Sequence, residues 1–130
     1  MSLARILPGD YIPFMAWDVE YTDEFEDWWN HLSEAEQDDV AFGVGLLEVY
    51  GPALKRPYAD VVASSRHPHM KELRIQHRGR PYRILYAFDP RRTAILLIGG
   101  DKTGQDRWYD TYVPIADRLY DEHLATLRRE

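Results

Sequence analysis

Two arginines on neighbouring predicted strands are the residues best suited to chemistry in this sequence. Arg74 stands in the tripeptide Leu-Arg-Ile, and Arg83 stands in Tyr-Arg-Ile. Because side chains alternate between the two faces of a strand, each guanidinium is expected to point away from the apolar face that forms the core. That second face could bind an anionic group. The structural alternative for Arg83 is an ion pair with an acid of the helical layer.

Two histidines precede the first of these strands. His67 and His69 could carry protons beside a basic sheet, because an unperturbed histidine titrates near neutrality. Their spacing also suits a metal site, but no acid or further histidine stands nearby in sequence to complete one, so no metal is expected. The glycine-rich run at 99–104 lacks the spacing of a P-loop, so no nucleotide cofactor is indicated.

Charge is unevenly distributed along the chain, whose formal net charge is -6. Residues 1–60 hold 3 Lys or Arg against 13 Asp or Glu, residues 61–107 hold 10 against 4, and residues 108–130 hold 3 against 5. An acidic body that carries a basic sheet favours one anionic partner on one face. The alternative is that these basic residues only solvate strands and turns. Beyond the two arginines, the basic residues expected to contact such a partner are Lys71, Arg78, Arg80 and Arg107.

The elements that position these residues begin with a strand and two helices. Residues 16–21 alternate between apolar and acidic side chains, as a half-buried strand does. Thr22 is expected to cap a first helix, and Ser33 with Glu36 forms a capping box for a second helix that ends at Gly51-Pro52. The segment 53–69 is predicted to be a long loop with a short extended piece near 60–63.

Three strands, at about 71–77, 81–88 and 93–99, follow this loop and are joined by turns at Gly79 and Asp89-Pro90. Short connections join antiparallel neighbours, so a meander is expected. The tail resumes helical character from about Gln105, with Pro114 in its first turn and an amphipathic face beyond it. The sequence therefore predicts one α+β domain at 15–130 in the order β-α-α-β-β-β-α, with the meander packed on a helical hairpin. Residues 1–14 are predicted to be an extension.

The absence of cysteine and of long apolar runs bears on location. Without cysteine no disulfide or thiolate zinc site can form, which suits a reducing compartment. No run of about 18 apolar residues and no signal-peptide pattern is present. A cytoplasmic protein without membrane contact is therefore expected.

The motifs KELR, GRPYRILYAFDPRR and GGDKTG resemble the RelE/ParE superfamily of toxins from type II toxin-antitoxin modules, in particular its HigB-like, phage-derived branch. The resemblance covers about residues 17–127. It implies a fold similar to microbial ribonucleases and, in many members, cleavage of mRNA on the ribosome, which inhibits translation. It also implies a helix-turn-helix antitoxin as partner. Arg74 and Arg83 match the arginines of the family's ELR and YRxLY strands, and Lys102 matches a basic residue after the last strand.

Under this resemblance each residue type needed for metal-free RNA cleavage is available. Arg74 and Arg83 would bind the scissile phosphate through their planar donor forks, and Lys102 would add positive charge. The expected base, which deprotonates the 2′-hydroxyl, is His67 or His69. The expected acid, which protonates the leaving 5′-oxygen, is Tyr109 or Tyr112. For these histidines and tyrosines the alternatives are a solvated loop and packing.

Two departures from the family keep other functions open. Toxins of this superfamily are usually basic, whereas this chain has an isoelectric point near 5.3, and its tail has no clear counterpart of the family's late catalytic tyrosine or histidine. One alternative is a ParE-like toxin or binding module that docks on a protein target without cleaving RNA. Another is a module that has lost toxicity and serves only as the partner of an antitoxin.

Overall fold

The computed structural model describes residues 16–130 and shows a mixed α+β architecture, which confirms the predicted class. The predicted extension at 1–14 lies outside the described residues. The elements in chain order are β1 (Val19–Tyr21), α1 (Asp23–Asn30), α2 (Glu34–Tyr50), β2 (Ala59–Val61), β3 (Lys71–His77), β4 (Arg80–Phe88), β5 (Ala94–Asp101) and α3 (Trp108–Arg128), with a short 3₁₀ turn at Gly51–Ala53.

The five strands form one sheet in the order β1-β5-β4-β3-β2. Strands β3, β4 and β5 make the predicted antiparallel meander, and β1 joins β5 in parallel. The β3–β4 turn uses Arg78 and Gly79 at φ values of 50° and 79°, the left-handed pair that a two-residue hairpin favours. Strand β2 lies close to the short extended piece predicted near 60–63, and the difference from the predicted order is that this piece pairs with β3 as a fifth strand. Three residues are too few for an alternation to be recognised in sequence.

The helical hairpin α1–α2 begins at the predicted caps. The Thr22 hydroxyl accepts from the Phe25 amide at 3.0 Å and donates to the Leu97 carbonyl at 2.6 Å, so it caps α1 and ties the helix to the sheet. At the start of α2 the Ser33 amide donates to Glu36 Oε1 at 2.8 Å, and the Glu36 amide donates to Ser33 Oγ at 3.1 Å. The predicted capping box is therefore confirmed.

Helix α3 covers the second face of the sheet, opposite the hairpin, so the sheet has a core on each side. The helix begins at Trp108, so Pro114 lies inside it and not in its first turn as predicted. A proline there removes one backbone hydrogen bond, but Trp108 and Val113 bury apolar area against the sheet, which offsets that loss. None of the helices within residues 16–130 is long and apolar enough to cross a lipid bilayer.

Strand β5 continues to Asp101, two residues beyond its predicted end, because its two glycines are strand residues. A Cβ atom at Gly99 would overlap the Trp28 ring, and a Cβ atom at Gly100 would lie 2.8 Å from Trp108 Nε1. Glycines in a strand often mark such close approaches. One indole therefore packs on each face of the sheet at this point. The Trp108 indole sets the position of the start of α3.

Candidate active site

Arg74 and Arg83 lie directly opposite each other on β3 and β4. Both alternate with the core residues that face the hairpin, so both side chains lie on the α3 face. The Arg83 side chain is 6% exposed, whereas the Arg74 side chain is 33% exposed. Two adjacent cations in a sheet repel each other, and a buried one needs a counter-charge.

Glu72 supplies that counter-charge. Its Oε2 lies 3.4 Å from Arg74 Nε, its Oε1 lies 3.7 Å from Arg83 Nε, and its side chain is 7% exposed. Arg83 Nη1 also donates to the Tyr82 carbonyl at 3.0 Å. One buried carboxylate therefore holds two guanidinium groups side by side. Of the two, Arg74 is the one that incoming phosphate could reach directly.

The Tyr109 hydroxyl completes the cluster from the first turn of α3 by donating to Glu72 Oε1. Burial, and then this hydrogen bond, raise the pKa of Tyr109 above its usual value, while the nearby Arg83 acts in the opposite direction. The hydroxyl therefore keeps its proton at neutral pH. Lys102 Nζ lies 5.3 Å from the centroid of the Tyr109 ring, which brings a further cation to the same place.

The start of α3 is placed by the sheet beneath it. Gly100 is the β5 partner of Arg83, and the Trp108 indole packs on that glycine. Because Tyr109 follows Trp108, its side chain is brought to the carboxylate beside Arg83. The residues that the structure gathers in this cluster are Glu72, Arg74, Arg83, Lys102 and Tyr109. We call this set the Glu72 cluster.

The other predicted proton carriers lie away from the Glu72 cluster. His69 is exposed on the loop before β3. His67 Nε2 lies 2.8 Å from Asp121 Oδ1, and its ring meets the edge of Tyr120 with centroids 4.9 Å apart. Tyr112 stacks on Trp108 with ring centroids 4.5 Å apart and lines a separate cleft beside α1.

The predicted RNA-binding residues are spread over the sheet. Lys71, at the beginning of β3, donates to the Pro52 carbonyl at 3.2 Å. Arg80 pairs with Asp101 at the other end of the sheet, which neutralises its charge. Arg78 and Arg107 are exposed. The fold thus places the basic residues of segment 61–107 at several separate positions and does not gather them on one surface.

Glu72 is a residue that the sequence reasoning missed. The KELR motif places it two residues before Arg74, so the two share one face of a strand. The same alternation that was applied to the arginines would have identified it. Within residues 16–130, no group of three or more His, Asp or Glu side chains is arranged to hold a metal ion.

Comparisons with known proteins identify the family. Residues 27–121 match the family described as "Phage derived protein Gp49-like". The chain is 46% identical over 104 residues to "Putative toxin HigB3" of Mycobacterium tuberculosis (strain ATCC 25618 / H37Rv), an alignment that covers 79% of this chain and 90% of that protein. It is 46% identical over 100 residues to "Putative toxin HigB2" of the same organism, covering 75% of this chain and 50% of that protein. These matches confirm the resemblance read from the strand motifs, and the chain therefore belongs to the phage-derived Gp49-like family, with HigB proteins among its relatives.

Proposed function

We propose that this chain is the toxin of a type II toxin-antitoxin system with a RelE-like, microbial ribonuclease-like fold. We propose further that it is a metal-independent endoribonuclease that cleaves mRNA and thereby inhibits translation in the cytoplasm. The names of its two relatives support the toxin role. The observation that carries the enzymatic role is the Glu72 cluster, where one carboxylate holds two guanidinium groups beside a protonated tyrosine.

Phosphate binding falls to the two arginines. Arg74, which is the more exposed, would take the non-bridging oxygens of the scissile phosphate through its donor fork. Arg83 lies beneath it in a site from which water is largely excluded, where a fixed charge stabilises a phosphorane more strongly than it would in water. Lys102 would add charge to the same oxygens. These groups are held in place before the substrate arrives.

Proton transfer falls to Glu72 and Tyr109. In the proposed reaction the 2′-oxygen forms a bond to phosphorus as its proton passes to the Glu72 carboxylate. The bond from phosphorus to the 5′-oxygen breaks as Tyr109 donates a proton to that oxygen, which leaves a 2′,3′-cyclic phosphate and a 5′-hydroxyl. The hydrogen bond between Glu72 and Tyr109 then returns the proton and resets the site. We assign no step to His69 or Tyr112.

The net charge of -6 favours action on the ribosome. An acidic protein has weak general attraction for the RNA backbone, because that attraction depends on the number of phosphates neutralised. A few cations on one face would suffice if the ribosome delivered the message to them. The partner that would hold the toxin in check is a cognate helix-turn-helix antitoxin.

Expression of the chain alone, with and without Arg83→Ala, tests the enzymatic proposal. We expect wild-type expression to arrest growth and leave cut transcripts, and Arg83→Ala to relieve both. The matched control is Arg118→Ala, which removes an exposed arginine of α3 that pairs with Glu122. This variant should remain toxic. Normal growth with intact transcripts on wild-type expression would contradict the proposal.

A second candidate function is a non-enzymatic, ParE-like toxin that docks on a protein target. Val49, Tyr50 and Val61 expose 42%, 55% and 56% of their surface, and exposed apolar side chains of this size favour a contact with a protein. Growth arrest with intact transcripts and induced DNA damage would support this function. An Arg83→Ala variant that stays toxic would point the same way.

A further inference from the structure

A cleft of about 450 Å³ opens beside the two arginines at the edge of β3. Strand β2 pairs with the first residues of β3, and the Arg74 amide then donates to the Tyr58 carbonyl at 2.8 Å, so within residues 16–130 no strand covers the outer edge of β3 beyond Arg74. Helix α2 lines the cleft from the hairpin side of this edge, the segment before β2 forms the other wall, and Arg74 and Arg83 line the cleft from the α3 side. The residues that line the cleft include Asp39, Phe42, Tyr58, Arg74, Gln76 and Arg83.

Two aromatic side chains on the walls of the cleft are exposed to solvent. Phe42 is 64% exposed and Tyr58 is 46% exposed. Both rings belong to well-defined elements of backbone, one on α2 and the other fixed through its hydrogen bond to β3. Aromatic faces held open beside cations are the features with which proteins stack unpaired nucleic-acid bases.

Polar groups in the same cleft could meet the edge of a base. Asp39 Oδ2 lies 2.6 Å from His77 Nδ1, which fixes the carboxylate and leaves Oδ1 free to accept a hydrogen bond. Gln76 is exposed and carries both a donor and an acceptor. A purely apolar peptide would leave these groups and the guanidinium groups unsatisfied, whereas a nucleotide supplies a partner for each.

Resting on the proposed function, we infer that this cleft is a base-binding subsite for single-stranded RNA. A base next to the scissile phosphate stacks on Phe42 and Tyr58, while its phosphate binds Arg74 and Arg83. Because a base must leave its helix to enter the cleft, the subsite selects unpaired RNA. The two aromatic residues therefore determine which phosphodiester is presented to the Glu72 cluster.

Substitutions that remove or keep the aromatic ring of residue 42 test this inference. Phe42→Leu keeps the apolar bulk and loses the π face, whereas Phe42→Trp keeps a stacking face. The readout is the affinity for a short, fluorescently labelled single-stranded RNA with a 2′-deoxy residue at the cleavage position, measured by anisotropy. We expect Phe42→Leu and Tyr58→Ala each to weaken binding roughly tenfold or more, and Phe42→Trp to bind as wild type does. Tyr50→Ala, an exposed aromatic residue of α2 outside the cleft, is the control and should leave binding unchanged.

A second RNA that carries an abasic site beside the cleavage position removes the base. Wild type and Phe42→Leu should bind this RNA equally, because no base remains to stack. The cut sites in a translating cell extract should also become less selective in both cleft variants. Thermal unfolding verifies that the variants are folded, as is expected for such exposed positions.

The outcomes separate the two proposals. If both cleft variants bind and cut as wild type does while Arg83→Ala is inactive, the subsite is wrong and the ribonuclease proposal stands. If wild type neither binds nor cuts RNA, both are wrong. If Phe42→Leu leaves RNA binding intact but Phe42→Ala abolishes binding of the purified antitoxin, the cleft is an apolar protein-docking site and the subsite is overturned.

Discussion

Glu72 contacts three of the side chains to which we assign chemistry, and that position makes it informative at the scale of single residues. It pairs with Arg74 and Arg83 and accepts from Tyr109 while almost fully buried. A buried carboxylate between two cations costs desolvation energy, which is offset only when its partners are all in place. Its placement therefore favours preorganisation of the site over maximum stability.

Replacement of Glu72 by glutamine should affect both activity and stability. An amide cannot balance two guanidinium groups or accept a proton, so we expect cleavage to fall at least about 100-fold. Leaving Arg83 buried without a counter-charge should lower the free energy of unfolding by about 3 kcal/mol. Cleavage assays below the unfolding transition, together with urea denaturation, separate the two effects.

The control for Glu72→Gln is Glu122→Gln, which breaks an exposed ion pair with Arg118 on α3. It should change stability little, because surface ion pairs contribute little. Cleavage by Glu72→Gln at the wild-type rate would rule out Glu72 as the proton acceptor. The arginines would then act without it.

Glu48 makes stability depend on pH. Its side chain on α2 is 3% exposed, Oε1 has no hydrogen-bond partner among residues 16–130, and burial raises the pKa of this carboxyl to about 7 from its ordinary value of 4.5. Between pH 4.5 and about pH 7 the folded state binds more protons than the unfolded state. The free energy of unfolding therefore falls as the pH rises from 4.5 to about 7.

Glu48→Gln should remove this dependence. We expect the variant to be roughly 2–3 kcal/mol more stable than wild type at pH 8 and similar to it near pH 5, as measured by urea unfolding. Glu122→Gln, on the exposed face of α3, is the control and should show the wild-type pH dependence. Equal stabilities of Glu48→Gln and wild type at both pH values would show that the carboxyl finds a partner in solution.

At the scale of elements, the glycine pair of β5 contacts both helical layers beside the Glu72 cluster. The Trp28 ring of α1 packs on Gly99 on one face of the sheet, and the Trp108 ring of α3 packs on Gly100 on the other face. The second contact sets the first turn of α3 and therefore the position of Tyr109. The far half of α3 is anchored separately, because the buried Asp89 of the β4–β5 turn lies 2.9 Å from His123 Nε2.

Alanine at Gly99 should strain the sheet. Its Cβ atom would overlap the rigid Trp28 ring, so we expect a loss of about 1–3 kcal/mol in urea unfolding. Gly43→Ala is the matched comparison. Its new Cβ atom would lie too close to Ile75 Cδ1, at 2.7 Å, which is the end of a flexible side chain, and would make ordinary contacts with Ile75 Cγ1 and Leu73 Cδ2; alanine also favours the helix. That variant should be neutral or stabilising. A Gly99→Ala variant as stable as Gly43→Ala would mean that Trp28 moves aside freely.

At the scale of the whole molecule, the charge pattern and the fold together define a small cationic site on an acidic protein. The helical hairpin carries nine of the 22 acidic residues and no Lys or Arg, and α3 covers the face of the sheet that holds the Glu72 cluster. Several other basic residues of the sheet are neutralised, as Arg80 is by Asp101 and Arg91 is by Glu20 and Asp89. Few cations therefore remain to bind phosphates.

The salt dependence of RNA binding should be correspondingly shallow. With about two phosphates neutralised, a plot of log K against log salt concentration should have a slope of about -1.4 for single-stranded RNA, and Arg74→Ala should reduce it by about 0.7. Anisotropy titrations between about 50 and 200 mM salt measure this slope. Arg118→Ala should leave it unchanged. A slope several times steeper would indicate a basic surface much wider than the Glu72 cluster.

Much of the architecture was determined by sequence alone, because its signals are local. Caps at Thr22 and Ser33 set the helix starts, and a left-handed turn at Gly79 joins β3 to β4. The alternation of side chains along a strand predicted that Arg74 and Arg83 lie on one face of the meander. Each of these features depends on the conformation of a few adjacent residues, so a short stretch of chain contains the information.

Only the tertiary structure decided which residues meet in the Glu72 cluster. Tyr109 and Tyr112 are equivalent by position in sequence, yet the docking of α3 on Gly100 brings the first to Glu72 and turns the second toward α1. The ion pairs of Glu72 depend on strand register and on burial beneath α3, which no local pattern encodes. The physical reason is that packing joins segments far apart in the chain, so the site exists only once the sheet and both helical layers have assembled.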